Sequence, residues 1–276
     1  MTTRPTHRRT LQLAVGGTAV LLTLSACSSS DDSAGASASS APSAGASSAG
    51  DVKGTVTVFA AASLKESFTE LGEEFEAAHP GTEVTFNFGG SDALAASITS
   101  GAPADVFAAA SPKTMQIVTD AKGAAGEPAT FVRNQLEIAV VPGNPKDVAT
   151  LKDLTKSGMK VALCAKEVPC GAAAQKALDG AGLKLTPVSY EQDVKSALTK
   201  VQLKEVDASV VYKTDVKAAA GKVEGVEFPE SAGAVNDYPI VLLKDAPNAG
   251  AAEAFITLVR SEQGRKVLSE AGFLNP

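Results

Sequence analysis

TVTVFAAASLKESFTELGEEFEAAHPG, residues 55–81, changes periodicity in its middle. Residues 55–60 form a short run rich in β-branched residues and read as a strand. Leu64, Phe68, Leu71 and Phe75 then recur at helical spacing, until His79-Pro80-Gly81 stops the helix. A strand feeding straight into an amphipathic helix is the first half of a βαβ unit. The pattern repeats outward. Residues 84–88 read as a strand, 94–98 as a helix and 106–110 as a buried strand. Strands follow at 136–141 and 161–164, helices at about 171–181 and 191–203, and a strand at 209–212. A strand at 240–243 and a helix over about 251–260 close the chain. This order predicts an α/β protein with parallel sheets and helices on both faces. In such sheets ligands sit at the carboxyl ends of strands, against helix N-termini.

Upstream of this body the character changes. Arg4, Arg8 and Arg9 precede an apolar run from 11 to 24, which is too short to span a bilayer comfortably. This is the layout of an export signal over 1–26, with the Sec and twin-arginine routes both open. The run ends in Leu24-Ser25-Ala26-Cys27, which resembles the lipobox of bacterial lipoproteins. That resemblance implies cleavage before Cys27 and acylation, with diacylglycerol and palmitate chains, of the new N-terminus. Of the 23 residues 28–50, 10 are Ser, 7 Ala and 3 Gly. So little apolar surface cannot offset the entropy of ordering the chain. Residues 27–51 therefore read as an acylated Cys and a tether, with the folded part starting at 52.

Composition removes several functions. The chain has 276 residues, no Trp, 5% aromatics and two His, His7 and His79. Three of its 25 bases lie in the first 26 residues, which hold no acid, so the rest carries 22 bases against 31 acids. A surface of that sign, without stacking aromatics, excludes nonspecific nucleic-acid binding. Two His leave almost no His-based catalysis or zinc chemistry. There is no phosphate-binding G-x-x-x-x-G-K-[ST] loop, no dinucleotide fingerprint after a strand and no G-x-S-x-G elbow. Gly180-Ala181-Gly182 reads as a helix end. His79 reads as a solvated residue at a helix C-terminus. Ser157 and Lys160 match S-x-x-K only by chance, in a turn. The expectation is a binding protein that is not an enzyme and carries no cofactor.

What remains is a set of helix starts. Ser63 and Glu66 form an S-x-x-E capping box after the first strand. Ser91 follows Gly89-Gly90 and opens another helix. Cys170-Gly171 follows Pro169 at the head of an Ala-rich helix. Ser189 and Gln192 form an S-x-x-Q box that places Val194 in a first helical turn. Helix N-termini offer free N–H groups and partial positive charge, and so can hold an oxyanion.

At these same residues the chain resembles a known family. FAAASL (59–64), GAPADVFAAAS (101–111), VPCGAAAQKAL (168–178), EQDVKSAL (191–198), ASVVYKTDV (208–216) and NDYPIVLL (236–243) are similar, in this order, to motifs of the molybdate-binding proteins of ABC transporters. The resemblance implies a type II periplasmic-binding-protein fold. Each of two lobes would be a mostly parallel sheet flanked by helices, joined by two crossover strands. Lobe one would hold 52–134 and 238–276, and lobe two 135–237. It implies an exported monomer, held at the outer face of the cell membrane by lipidated Cys27. The protein would pass molybdate, and tungstate, to an ABC permease and its ATPase. Sulfate or another tetrahedral oxyanion is the alternative ligand, and an exported enzyme on the same scaffold the remoter one.

Carried over by motif, the molybdate site consists of Ser63, Ser91, Cys170, Val194 and Tyr212. Molybdate is a tetrahedral dianion with no proton to donate near neutral pH. Three hydroxyls, with backbone N–H groups at Cys170 and Val194, would suit it without any Lys or Arg. Each such bond is worth roughly 1.5–3 kcal/mol. Asp92, beside Ser91, is expected to turn away and serve its helix's first turn. Cys170 and Cys164, in an exported protein, are expected to form a disulfide.

Overall fold

The computed structural model describes residues 52–276. The export signal, Cys27 and the tether over 27–51 lie outside the described residues. In chain order the elements begin with β1 (Gly54–Ala61), a 3-10 turn (Ala62–Leu64), α1 (Lys65–Ala78), β2 (Thr82–Gly89) and α2 (Ser91–Thr99). Next are β3 (Val106–Ala108), α3 (Pro112–Asp120), β4 (Ala129–Asn134), β5 (Leu136–Val140), β6 (Val161–Cys164) and α4 (Pro169–Gly180). β7 (Ser189–Glu191), α5 (Val194–Gln202), β8 (Ala208–Tyr212), α6 (Lys213–Ala218) and β9 (Glu224–Val226) follow. β10 (Asn236–Leu242), α7 (Ala249–Arg260) and α8 (Glu262–Glu270) complete the chain.

The strands form two five-stranded sheets, ordered β2-β1-β3-β10-β4 and β7-β6-β8-β5-β9. Each is the centre of one lobe. In the first, β1 runs parallel to β2 and β3, while β10 is antiparallel to β3 and β4. In the second, β6 runs parallel to β7 and β8, while β5 is antiparallel to β8 and β9. The expectation of mostly parallel sheets thus holds for three strands of each, and the sheets as wholes are mixed. The reason lies at the crossovers. Only Gln135 separates β4 from β5, and the two strands belong to different sheets. β10 brings the chain back, against the parallel trio. Asn236, its first residue, is the register partner of Asn134, the last of β4.

Period-two alternation gives the first sheet two buried faces. Val56, Val58 and Ala60 pack with Phe68, Leu71 and Phe75 of α1 and Phe255 of α7. The Phe255 ring meets those of Phe68 and Phe75 edge-on, at 5.9 and 5.6 Å. Phe59, Phe107 and Val241 point the other way, onto Leu94 of α2 and Met115 and Val118 of α3. α1 stops where expected. The half-buried His79 caps it, its N–H donating to the Phe75 carbonyl at 2.9 Å, and Gly81 turns the chain at φ +94°. Its ring lies 4.6 Å from that of Phe75, so it is less solvated than expected.

Candidate functional site

Loops from the carboxyl ends of β1, β2, β3, β6, β7 and β8 converge on a small cavity of about 10 Å³ between the sheets. Its wall includes Ser63, Gly90, Ser91, Ala110, Pro169, Cys170, Asp193, Val194 and Tyr212. All five residues singled out in the sequence therefore line one space, two from the first lobe and three from the second. The cavity is far below the usual range for organic ligands, roughly 300–1,000 Å³, and has room for about one water-sized group. No Lys, Arg or His lines it, and its one acid, Asp193, is committed to capping α5. A wider groove beside it, walled by Lys65, Glu66, Lys195 and Asp215, is the charged outer part of the cleft.

Counting backbone donors shows what the helix starts offer. The first main-chain bond in α2 is Leu94 N–H to Gly90, in α4 Ala172 N–H to Val168, and in α5 Ala197 N–H to Asp193. The earlier N–H groups, among them those of Ser91, Cys170 and Val194, have no acceptor within their helices. The 3-10 turn adds that of Ser63, since its first bond is Lys65 N–H to Ala62. Four chain starts thus bring donors without a helical acceptor to the wall of one cavity, and the three α-helices among them add the dipole sign that favours an anion.

Two capping boxes read from the sequence do not form. The Ser63 hydroxyl makes no cap, and α1 begins after Leu64 without one. It lies instead 2.8 Å from the Tyr238 hydroxyl, 175 residues away in sequence. Glu66, its supposed partner, reaches to Lys195 of the other lobe. Ser189 is held in β7 by pairing with Ala162, so no helix can start there, and its buried Oγ has no partner. Asp193 replaces it: Ser196 N–H and Oγ–H donate to its carboxylate at 2.9 and 2.8 Å. Val194 still opens α5. Asp92 does lie in the first turn of α2, yet one of its carboxylate oxygens is buried without a partner.

Cys170 and Cys164 are joined in a disulfide, with Cα atoms 5.8 Å apart. The bond ties the end of β6 to the first turn of α4. Packing there is tight enough that a Cβ on Gly171 would come within 1.9 Å of the Ala165 carbonyl oxygen. The backbone of this wall is therefore fixed from two sides.

Behind the wall lies a layer of buried and half-buried polar side chains that sequence reasoning missed. The Asn236 amide donates to the Tyr212 hydroxyl at 2.8 Å and to the Ala110 carbonyl at 2.9 Å. The Asn134 amide donates to Thr214 Oγ1 at 2.9 Å and to the Tyr238 hydroxyl at 3.4 Å. Ala110 N–H donates to Ser91 Oγ at 3.0 Å. NDYPIVLL reads only as a strand, and Asn134 falls outside every element read from the sequence. The available signal was polar residues within apolar strands at both crossovers. Burial holds the Tyr212 phenol well above its ordinary pKa, with the neighbouring Tyr238 adding to the rise. Tyr238 is raised as well, again chiefly by burial. Both are O–H donors at any physiological pH.

A charged cluster closes the rim. Lys195 Nζ is 2.7 Å from Glu66 Oε2 and 3.1 Å from Asp215 Oδ1, the latter a charge contact rather than an aligned hydrogen bond. Asp215 Oδ2 accepts Tyr212 N–H at 3.2 Å. Burial lifts the Asp215 carboxyl from 3.8 to about 6, against the pull of Lys195. Burial lowers the Lys195 ammonium, but Asp215 and Glu66 outweigh it and leave the group above its ordinary value. Among the described residues no group of three or more His, Cys, Asp or Glu could hold a metal ion. Among them, too, no helix is long and apolar enough to cross a membrane.

Comparison with known proteins places this site in context. Residues 56–274 match the family described as bacterial extracellular solute-binding protein. The molybdate-binding protein of Mycobacterium tuberculosis is 42% identical over 245 residues, covering 88% of this chain and 94% of that one. The periplasmic molybdate-binding protein of Azotobacter vinelandii superposes with a TM-score of 0.70 at 22% identity, over 80% of this chain and 99% of that one. The sulfate-binding protein of Mycobacterium tuberculosis superposes with a TM-score of 0.67 at 20% identity, over 79% and 86%. These two superpositions speak to the fold.

Proposed function

The chain belongs to the bacterial extracellular solute-binding protein family, and from that premise we propose that it captures molybdate between its lobes for an ABC importer. One observation carries the reading. The cavity presents three hydroxyls and the leading N–H groups of four helical segments, with no basic side chain. Such a donor set matches a dianion whose oxygens are all acceptors. Hydrogen phosphate, with a proton to place, would need one of these groups to turn from donor to acceptor, so it suits this wall less well. The molybdate-binding relative makes molybdate the first choice over sulfate, and tungstate, of the same shape and charge, should follow it.

In this reading Ser63, Ser91 and Tyr212 bind through hydroxyls, and Cys170 and Val194 through backbone N–H groups. Lobe one comprises 52–134 and 238–276, lobe two 135–237, and the crossovers serve as the hinge for closure. Acylated Cys27 holds the monomer at the outer face of the membrane, beside its permease and ATPase partners. Cys27→Ser would then release the protein from the membrane fraction.

Calorimetric titration of the purified protein with molybdate, tungstate, sulfate and phosphate tests the proposal. Molybdate and tungstate should bind at least about tenfold more tightly than sulfate, with no heat from phosphate. Sulfate binding as tight as molybdate would overturn the assignment.

A further inference from the structure

We propose that two crossover asparagines are positioning residues: Asn236 turns the Tyr212 hydroxyl proton toward the bound oxyanion, and Asn134, through Tyr238, does the same for Ser63. The inference rests on the oxyanion reading above and concerns what aims its donors.

The amide orientations are fixed by groups that cannot change role. Asn236 Nδ2 faces two carbonyl oxygens, Ala110 at 2.9 Å and Pro169 at 3.4 Å. Carbonyls only accept, so that end is the nitrogen, and the Tyr212 oxygen 2.8 Å away must accept from it. Asn134 Oδ1 accepts Gln135 N–H at 3.0 Å, so its other end is the nitrogen and donates to Tyr238. Tyr238 then has its own proton for Ser63 Oγ, at 2.8 Å. Ser91 Oγ likewise accepts, from Ala110 N–H. Each hydroxyl on the cavity wall is thus an acceptor from behind and has one proton left for the front. Tyr212 also has a competing hydrogen-bond acceptor in the Tyr238 hydroxyl, on which its proton can rest while no anion is bound. That oxygen already accepts from Asn134, and a dianion is the stronger acceptor for the Tyr212 proton.

The placement adds a consequence. Asn134 and Asn236 are register partners where the chain crosses between lobes. Asn236 touches Ala110 of the first lobe and Pro169 and Tyr212 of the second. Its amide can make this set of contacts only when the lobes are together, so closure and proton direction are set by one side chain.

A double-mutant cycle tests this by calorimetric titration with molybdate. Asn236→Leu keeps the volume and removes the donor, and Tyr212→Phe removes the hydroxyl. Each should weaken binding about tenfold. Asn236→Leu in the Tyr212→Phe background should cost less than about threefold, because its target is gone. The carbonyls of Ala110 and Pro169 lose their donor in both backgrounds, so that effect cancels. Equal losses from Asn236→Leu in the two backgrounds, or no loss in the first, would overturn the proposal. Thermal unfolding without ligand checks that each variant is folded. If Asn236→Leu does not fold, the parallel cycle of Tyr238→Phe with Ser63→Ala decides by the same criterion. Wild-type protein that does not bind molybdate would refute the oxyanion reading itself, an outcome separate from additive losses on a binding-competent protein.

Discussion

Lys195, in the first turn of α5, is ion-paired with Glu66, in the first turn of α1, at 2.7 Å, and so links the second lobe to the first at the mouth of the cavity. Glu66 is half exposed, so the pair is screened and worth at most about 1 kcal/mol. Glu66→Gln should lower molybdate affinity by no more than about fivefold. The difference from wild type should shrink when the titration is repeated in 1 M salt. A salt-independent loss would mean that Glu66 acts by something other than its charge.

Asp215 ties this clasp to Tyr212 and carries a pH signature. Its carboxyl, lifted from 3.8 to about 6 by burial, binds its proton more tightly in the folded than in the unfolded chain. Its contribution to stability is therefore full below about pH 4 and is lost as pH rises through about 6. The shift corresponds to roughly 3 kcal/mol at most. Asp153 has the opposite sign. Hydrogen bonds from Lys156, Ala149 and Thr150 hold its carboxyl well below the ordinary range, so its contribution is lost as pH falls. Urea unfolding of Asp215→Asn and wild type between pH 4 and 7 separates the two effects. The variant should gain on wild type as pH rises from 4 to about 6.5, and parallel curves would contradict the shift.

How the lobes meet is set by a glycine. A Cβ on Gly90 would lie 2.4 Å from the Gln192 carbonyl oxygen of the other lobe. Gly90 has an ordinary backbone, φ −62°, and within the first lobe the Cβ would press on the Asp92 carboxylate, at 2.8 Å, the movable end of a side chain, so alanine costs that lobe little. Gly90→Ala should therefore weaken molybdate binding more than about tenfold with less than about 1 kcal/mol lost in unfolding. Gly171→Ala, whose Cβ would strike the Ala165 oxygen, should instead destabilise the fold. Titration and urea unfolding of both variants would show the contrast, and a Gly90→Ala protein with wild-type affinity would refute it.

Reducing the Cys164–Cys170 bond frees a loop with a sequence separation of 6. In the chain-entropy model closing so short a loop stabilises by about 2 kcal/mol. The Cys164→Ser, Cys170→Ser double variant should lose about that much in urea unfolding. It should also bind molybdate more weakly, because the first turn of α4 loses one of its two constraints. Unchanged affinity would show that packing at Gly171 holds this wall unaided.

Much of this architecture is legible in the sequence, for reasons that can be named. Strands β1, β6 and β8 are short apolar runs, and α1 has a clean 3.6-residue stripe, so local pattern decides them. α3, α6 and α8 are not among the helices that the sequence predicts. α8 buries only Gly264, Val267 and Leu268, too thin a stripe to stand out from a polar segment. α3 did carry a signal, Ser111 before Pro112, with Thr114 N–H donating to the Ser111 hydroxyl at 3.2 Å. The antiparallel halves of the sheets depend on where the chain crosses between lobes, which no local pattern states. The same holds at the cavity. Ser63 and Ser91 stand out as polar residues at strand-to-helix junctions, and the family motifs point to Cys170, Val194 and Tyr212. The partners behind them, Asn134, Asn236 and Tyr238, come from distant strands. Ser63 looked like a cap because its true partner is 175 residues away.

The central claim is that neutral hydroxyls at Ser63, Ser91 and Tyr212 hold the ligand, and molybdate affinity of single variants tests it most directly. Ser63→Ala, Ser91→Ala and Tyr212→Phe each delete one O–H and leave the backbone donors. Each should lose roughly 1.5–3 kcal/mol, about ten- to a hundredfold, in calorimetric titration of folded protein. Val194→Ala, whose donor is the main chain, should lose less than about threefold. Four affinities equal to wild type would contradict the account.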